Sequence, residues 1–364
     1  MKKRIALMLA ALCLMLSGCS WLDGSYVSVT PHQEQTSGGQ SGAVSAANYL
    51  QLRTVLQDMV DSSTENAVIN VAEYDQEQVA KGMQTAVNYL SSLYPLGAYA
   101  VDRIDYDIGV SGGKPAVSVS ISYIHGRSEI RKIKTVPDMT EAEKAIAEAL
   151  DACNESVVLL VRHYEREDLV QMVEDFAEQN PDIVMETPQV AEGLYPDAGT
   201  SRIVELKFTY QTSRDSLRQM QDQVEPLFAA AMQYVSGDGS DSQKYNQLYG
   251  FLMERFDYTI ETSITPAYSL LRHGVGDSKA FAMVYAAMCR QAGLECRIVS
   301  GTRNGEAWYW NLICEDGIFF HVDLLQSSAS GQLQRLSDDQ MHGYVWDYSA
   351  YPAADAAQNE NLPE

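Results

Sequence analysis

A serine, a tryptophan and an aspartate in the last third of the chain are the residues whose types and spacing bear most directly on chemistry. Ser278 follows a glycine-rich turn and begins a predicted helix, Trp308 lies in a predicted strand, and Asp323 lies in the next strand. A serine hydroxyl becomes a useful nucleophile only when a neighbouring base removes its proton. The indole nitrogen of Trp308 is a donor without an acceptor lone pair, so position 308 cannot supply that base.

The segments around these residues read GVGDSKAFA (274–282), WYWN (308–311) and FFHVD (319–323). Together they resemble the transglutaminase-like superfamily, whose papain-like core has a Cys at a helix start, a His on one strand and an Asp on the next. In this chain the Cys position is Ser278, the His position is Trp308, and the Asp remains as Asp323. The resemblance implies a papain-like α+β domain over residues 229–352.

The two replacements predict that the domain is catalytically inactive. In the family, the helix N-terminus favours a thiolate. Ser278 is expected to use the same place as an N-cap, because serine is a favoured residue at that position. Asp323 would have no imidazole to orient, so we expect it to accept a hydrogen bond from a backbone N–H or from the indole of Trp308.

One alternative keeps an enzyme. His321 lies two residues before Asp323 on the same predicted strand and shares its face, which makes it a candidate substitute base. Ser278 with His321 would give a residual peptidase or acyl transferase. Cys289 is no substitute nucleophile, because it lies eleven residues after Ser278 and about 16 Å further along the helix axis.

The remaining cysteines predict neither a metal nor a cofactor. Their spacing matches neither a disulfide framework nor a zinc site, and a cluster with His321 has no recognisable ligand spacing. We expect buried free thiols, since lone cysteines behave as small hydrophobic residues. A bridge between Cys289 and Cys296 stays open. The four cysteines concerned are Cys153, Cys289, Cys296 and Cys314.

The N-terminus predicts export and lipid anchoring. Lys2, Lys3 and Arg4 precede an apolar run that is too short for a membrane span, which is typical of a secretory signal over residues 1–18. The order Leu-Ser-Gly-Cys at 16–19 resembles the bacterial lipobox, which implies that Cys19 becomes the lipidated N-terminus. An ordinary cleaved signal is the alternative. The predicted location is extracytoplasmic, on the bacterial membrane.

The charge balance limits the partners. The chain has 26 Lys plus Arg against 49 Asp plus Glu, and removing the signal would leave 23 basic residues. Such an acidic surface repels nucleic acid and anionic lipid headgroups, so neither is an expected partner. A peptide or a cell-wall component that is neutral or cationic fits better. The sequence therefore predicts a lipid-anchored binding protein or a surface scaffold.

An internal repeat precedes the C-terminal domain. Asn66–Tyr74 matches Ser156–Tyr164 in pattern, and each segment is followed by a helical stretch and an alternating strand. The spacing near ninety residues predicts two small α+β modules, each with a helix, a strand, a helix and two strands. Their predicted ranges are 49–138 and 139–228, after a flexible tether at 19–48 that is rich in Ser, Gly and Gln.

The elements that must position the three residues can be assigned from the pattern. A helix is predicted over 278–291, because Gly293 stands where a left-handed cap is usual. Gly305 and the Asp316-Gly317 pair predict turns between three strands. These strands are predicted over 296–300, 307–314 and 318–324. A disordered tail is predicted over 353–364. The overall fold class is α+β.

Overall fold

The structure is a computed structural model that describes residues 44–260, 263–328 and 330–354. The predicted signal peptide, Cys19, most of the predicted tether and the tail beyond Ala354 lie outside the described residues. Within the described part, none of the helices combines the length and the apolar composition that a bilayer span requires.

Residues 44–123 form a four-stranded sheet with three helices. Its elements are β1 (Val44–Ser45), α1 (Tyr49–Asp61), β2 (Asn66–Asn70), α2 (Gln76–Ser92), α3 (Pro95–Ala100), β3 (Val101–Ser111) and β4 (Lys114–Tyr123). The strand order is β1-β2-β4-β3, in which β1 runs parallel to β2 and the other neighbours are antiparallel. Val44 and Ser45, which the sequence assigned to the tether, are thus part of the sheet.

Alternation along β4 decides which face of this sheet is buried. Val117, Val119 and Ile121 are buried against α1 and α2, while the serines between them are exposed. This is the period of a strand with one face in the core. The first helix begins where the side chain of Asn48 accepts a hydrogen bond from the helix backbone.

A second sheet follows with the same arrangement. Its elements are α4 (Arg127–Ile130), β5 (Lys134–Asp138), α5 (Met139–Asp151), β6 (Ser156–His163), α6 (Leu169–Gln179), β7 (Gln189–Tyr195) and β8 (Arg202–Thr209). The strand order is β5-β6-β8-β7, again with one parallel pair, β5 with β6. That the two modules are copies of one unit stays a prediction.

The predicted boundary between the modules is wrong for strand β5. The prediction places residues 134–138 at the end of the first module, whereas the strand pairs with β6 of the second. The reason is physical: a parallel pair is closed by a helical crossover, here α5, so the two partners lie far apart in sequence. The predicted boundary after 138 therefore separates a strand from its own sheet.

The C-terminal domain follows from residue 214 onward. Its elements are α7 (Arg214–Tyr234), α8 (Asp241–Met253), β9 (Asp257–Tyr258), α9 (Pro266–His273), β10 (Val275–Gly276), α10 (Ser278–Gln291), β11 (Cys296–Arg303), β12 (Glu306–Glu315), β13 (Ile318–Val322), α11 (Leu324–Ser327), a 3₁₀ turn (Asp338–Gln340) and β14 (Tyr344–Trp346). Strands β13-β12-β11-β14 form an antiparallel sheet in that order.

Helix α10 is the centre of this domain. Every residue from Ala280 to Cys289 is buried, which is expected of a helix covered on all sides. One apolar core joins it to the sheet on one side and to α7, α8 and α9 on the other. Leu217 and Phe228 of α7 belong to the same core, so the predicted domain boundary after residue 228 falls inside a helix that packs with the C-terminal domain.

Candidate functional site

Ser278 is the first residue of α10. The cap that precedes it is Asp277, whose side chain accepts a hydrogen bond from the backbone N–H of Ala280 at 2.9 Å. The prediction that Ser278 is the N-cap is therefore wrong by one residue, because Asp277 is an equally favoured cap and stands first. The Oγ of Ser278 instead accepts a hydrogen bond from the backbone N–H of Tyr309 at 3.3 Å.

Two glycines shape the turn that presents Ser278. Gly274 ends α9 with a left-handed φ of 79°, a conformation that favours glycine. A Cβ at Gly276 would lie 2.9 Å from the Cβ of Ala280, so a side chain there would push α10 away from the turn. The close approach of the turn to the helix fixes where Ser278 lies.

Trp308 lies on β12, one residue before the strand amide that Ser278 contacts. Its half-buried indole donates a hydrogen bond from Nε1 to Oδ2 of Asp323 at 2.8 Å. The Tyr258 ring lies beside it, with centroids 5.8 Å apart, and the Arg303 guanidinium lies 5.2 Å from the centre of the indole. The indole thus binds the carboxylate as the N–H of an imidazole would, but it offers no acceptor.

Asp323 is 3% exposed and every one of its contacts is made by a donor. Oδ1 accepts from the backbone N–H groups of Leu325 and Gln326, at 3.0 and 3.1 Å, and so caps α11. Oδ2 accepts from the Tyr344 hydroxyl at 2.5 Å, in addition to the indole. Both kinds of partner predicted for Asp323, a backbone N–H and the Trp308 indole, are present.

Two further residues complete the surroundings of Asp323. Arg303 lies 3.5 Å from Oδ2 and provides a countercharge. Burial, followed by the negative charge of Asp323, raises the pKa of Tyr344, so its hydroxyl stays protonated and continues to donate. The sequence did not predict either residue, although the alternation of Tyr344 and Trp346 is a weak signal for the strand β14 that carries the tyrosine.

His321 lies in the same domain but not at Ser278. It is fully buried, and its Nδ1 lies 2.9 Å from Nε1 of Trp310. Because an indole nitrogen only donates, Nδ1 must accept, and Nε2 donates to Oδ1 of Asp338 at 2.8 Å. Burial lowers the pKa of His321, although Asp338 opposes the shift. Both ring nitrogens of this candidate base are therefore occupied by groups other than Ser278.

The cysteines that the structure describes are all free thiols. Cys153 and Cys289 are buried, and Cys296 and Cys314 are half-buried. Burial raises the pKa of Cys289, and the neighbouring Cys296 thiol adds to the shift. Among the described residues no three His, Cys, Asp or Glu side chains are grouped so as to hold a metal ion.

Comparisons with known proteins gave a family match within this domain and structural matches over a larger part of the chain. Residues 229–350 match the model of the transglutaminase-like superfamily. The chain is also similar to the crystal structure of a TGase, at 11% identity and a TM-score of 0.26, over 60% of this chain and 63% of the other. The alignment thus spans less than two thirds of the TGase. No curated protein matches the chain.

Two bacterial structures show similarity at the same low level. One is a cysteine protease candidate from Cytophaga hutchinsonii, at 16% identity and a TM-score of 0.24, over 43% of this chain and 70% of that one. The other is a protease candidate from Parabacteroides distasonis, at 10% identity and a TM-score of 0.23, over 70% of this chain and 39% of that one. TM-scores below 0.5 carry no weight here, so the assignment rests on the family match. Residues 229–350 are a domain of the transglutaminase-like superfamily, with a mixed α+β fold.

Proposed function

We propose that this protein is a lipid-anchored, extracytoplasmic binding protein whose transglutaminase-like domain does no chemistry. The hydrogen bond from the Trp308 indole to Asp323 carries the proposal. It gives the carboxylate a partner that can donate but cannot take a proton from a nucleophile. The acid of the triad therefore has a structural role in place of a catalytic one.

The surroundings of Ser278 support the same conclusion. Ser278 is 7% exposed, and its hydroxyl accepts a hydrogen bond from a strand amide, with no base among its described partners. A serine without a general base is a poor nucleophile at neutral pH. His321 is the alternative base, but its two ring nitrogens are bonded to Trp310 and Asp338, which does not favour a residual hydrolase.

The exposed side chains beside Trp308 favour ligand binding over a purely structural role. Tyr258 is 43% exposed and lies against the indole, and Val275 on the neighbouring strand is 38% exposed. Burial raises the pKa of Tyr258, and the negative charges of Asp277 and Glu306 add to the shift. An aromatic, apolar surface flanked by carboxylates fits a neutral or cationic peptide.

The proposal is tested by attempting to rebuild the triad. We expect no amide hydrolysis and no acyl transfer by the wild type. Ser278→Cys alone should give a thiol that reacts slowly with iodoacetamide, because no imidazole forms an ion pair with it. Adding Trp308→His should raise the labelling rate at position 278 by about tenfold or more, since a low-pKa thiolate is the reactive species.

Ser278→Cys combined with Trp308→Phe is the matched control, because phenylalanine opens the same space without supplying a base. Labelling is located by mass spectrometry of peptides, which separates position 278 from the buried thiol of Cys289. Wild-type hydrolysis that is lost on Ser278→Ala and on His321→Asn, but kept in Cys289→Ala, would overturn the proposal in favour of a relocated base.

Anchoring has its own test. We expect the mature N-terminus to be an acylated Cys19 and the protein to fractionate with membranes. Cys19→Ala should be released or left uncleaved. An unmodified N-terminus at another residue, found by mass spectrometry, would contradict the anchoring part of the proposal and leave the assignment of the C-terminal site unaffected.

A further inference from the structure

A cavity of about 510 Å³ lies where the first module meets the second. Tyr99 and His125 of the first module line one side of it, and Glu205 and Lys207 of β8 line another. Its volume is in the range of small-molecule sites in proteins. None of the residues Ser278, Trp308 and Asp323 lines it, so it is separate from the transglutaminase-like site.

Glu205 is the unusual residue of this cavity. It is 8% exposed, yet its described polar contacts are both long: the Tyr99 hydroxyl at 3.5 Å from Oε1 and the Lys207 ammonium at 3.3 Å from Oε2. A carboxylate has about four lone-pair sites, and a buried one is normally satisfied by several close donors. Glu205 therefore has acceptor capacity that its described neighbours leave unused, facing a space that can hold a ligand.

The aromatic wall of the cavity is formed by packed rings and includes a hydrogen-bond donor. The rings of Tyr99 and His125 are stacked, with centroids 4.1 Å apart and planes within 6° of parallel. The Tyr195 ring packs against Tyr99 in an edge-to-face arrangement, with the ring centroids 5.3 Å apart. Burial, followed by the charge of Glu205, raises the pKa of Tyr99, so the phenol remains a neutral donor.

The lysines of the cavity differ in whether they already have a partner. Lys134 lies 2.9 Å from Glu148, and Lys207 is paired with Glu205. Lys132 also lines the cavity and is exposed, and no carboxylate of the described residues lies within 4.0 Å of it. Its ammonium is the cation that is available to a ligand anion.

We propose that this cavity binds a small zwitterion with a primary ammonium and a carboxylate, such as an amino acid or a dipeptide. The ligand ammonium would be bound by Glu205, and the ligand carboxylate by Lys132. A net-neutral ligand of this kind avoids the repulsion that an anion would meet at a chain with 26 basic and 49 acidic residues. The site goes beyond the proposed function, because it involves no residue of the transglutaminase-like domain.

The test is a calorimetric titration of the full mature chain with L-alanyl-L-alanine. We expect saturable binding of the dipeptide. N-acetyl-alanyl-alanine lacks the ammonium and alanyl-alanine amide lacks the carboxylate, so each should bind about tenfold or more weakly. Free L-alanine is the second ligand. It should bind by the same two contacts, and its affinity relative to the dipeptide shows whether an amino acid or a peptide end is the better fit.

Variants locate the binding. Glu205→Gln should weaken dipeptide binding by about tenfold or more, and Lys132→Met by several-fold. Lys132 is exposed, so its substitution should not affect folding even if Glu205→Gln does. The matched controls are Glu174→Gln and Lys81→Met, two exposed positions that are not among the cavity residues. Both should bind the dipeptide as the wild type does.

Tryptophan emission separates this site from the C-terminal one. The described tryptophans, 308, 310 and 346, are all in the C-terminal domain, so binding in the cavity should leave their emission unchanged. The proposal is overturned if no heat is measured at millimolar dipeptide, or if Glu205→Gln and Lys132→Met both bind the dipeptide as the wild type does. It is also overturned if the dipeptide changes tryptophan emission with the same dissociation constant that calorimetry gives.

Discussion

Trp308 and Trp310, two residues apart on β12, each donate a hydrogen bond from the indole Nε1, but to different acceptors in different surroundings. The indole of Trp308 is half-buried and donates to Asp323 at 2.8 Å, next to Ser278. The indole of Trp310 is 1% exposed and donates to His321 at 2.9 Å, in a core with other aromatic residues. Trp308 thus lies at the edge of the domain's interior, whereas Trp310 is part of the core.

The comparison also bears on His321, which accepts the second of these hydrogen bonds. His321 is an imidazole on the strand next to β12, yet Trp310 and Asp338 occupy its two nitrogens. Trp308 is next to Tyr309, whose amide contacts Ser278, but its indole has no acceptor, while both nitrogens of the His321 imidazole already have hydrogen-bond partners. Whether a group can move a proton depends on its partners as well as on its chemistry.

Removing each indole is the strongest test of this difference. Trp310→Ala should lower the free energy of unfolding by about 3–5 kcal/mol, because it deletes a fully buried aromatic side chain and leaves Nδ1 of His321 without its donor. Trp308→Ala should cost only about 1–2 kcal/mol, since its side chain is half-buried. Urea unfolding followed by far-UV circular dichroism measures both. Equal losses would show that Trp308 also belongs to the core.

The carboxylates hydrogen-bonded to Trp308 and to His321, those of Asp323 and Asp338, should also differ in how much they stabilise the fold. Asp323→Asn should cost about 2 kcal/mol, because the amide would present N–H groups to donors from Trp308 and Tyr344. Asp338→Asn should cost less, since the Asp338 side chain is 27% exposed and keeps an oxygen for the imidazole. The same unfolding measurement decides. A larger loss at Asp338 would mean that the His321 network, not the Trp308 bond, is the main support of this sheet.

Much of the site could be predicted from local signals. The helix over 278–291 has the predicted ends, because a capping residue precedes it and Gly293 follows in a left-handed conformation with φ 76°. The three strands of the sheet were also predicted within a few residues, since glycine turns separate them. Signals of this kind are contained in a few neighbouring residues.

The remainder depends on contacts between distant parts of the chain. Arg303 and Tyr344 contact Asp323 from other strands, and no sequence pattern identifies such partners. The parallel strand β5 was assigned to the wrong module for the same reason. His321 is the clearest example. The sequence predicts its place on the strand, but it does not predict that Trp310 and Asp338 bind its two ring nitrogens.

The pH dependence of stability tests whether His321 is kept neutral. Burial lowers its pKa below the ordinary value of 6.5, so the unfolded chain takes up the proton first as the pH falls. The contribution of a neutral His321 is therefore complete above pH 6.5 and is lost as the pH falls below it. We expect the free energy of unfolding to fall as the pH is lowered from 7 to 5.5, with a slope no steeper than about 1.4 kcal/mol per pH unit for this one group.

His321→Asn provides the comparison for that measurement, because asparagine keeps an acceptor for Trp310 but does not titrate. The difference in unfolding free energy between the wild type and His321→Asn should be independent of pH above pH 7 and should change only as the pH falls below that. His342→Gln, at an exposed position, should follow the wild type throughout. A wild-type curve that is parallel to that of His321→Asn would mean that the imidazole has the same pKa in the folded and unfolded chain.

The smallest effect on stability is expected at Ser278, the position that we propose replaces the family's nucleophile. Ser278→Ala removes one long hydrogen bond, 3.3 Å from the Tyr309 amide, so it should cost less than about 1 kcal/mol. Asp277→Ala, one residue earlier, should cost about 1 kcal/mol or more, because it removes the cap of α10. Thermal unfolding of the two variants compares them directly.

The activity of Ser278→Ala has two informative outcomes. If the variant were as stable as expected but abolished a hydrolysis measurable in the wild type, Ser278 would be a nucleophile activated by a base other than its described hydrogen-bond partners. If Ser278→Ala is stable and binding of peptides at Trp308 is unchanged, position 278 serves neither catalysis nor the fold, and the local structure depends on Asp277 and the glycine turn, which position α10.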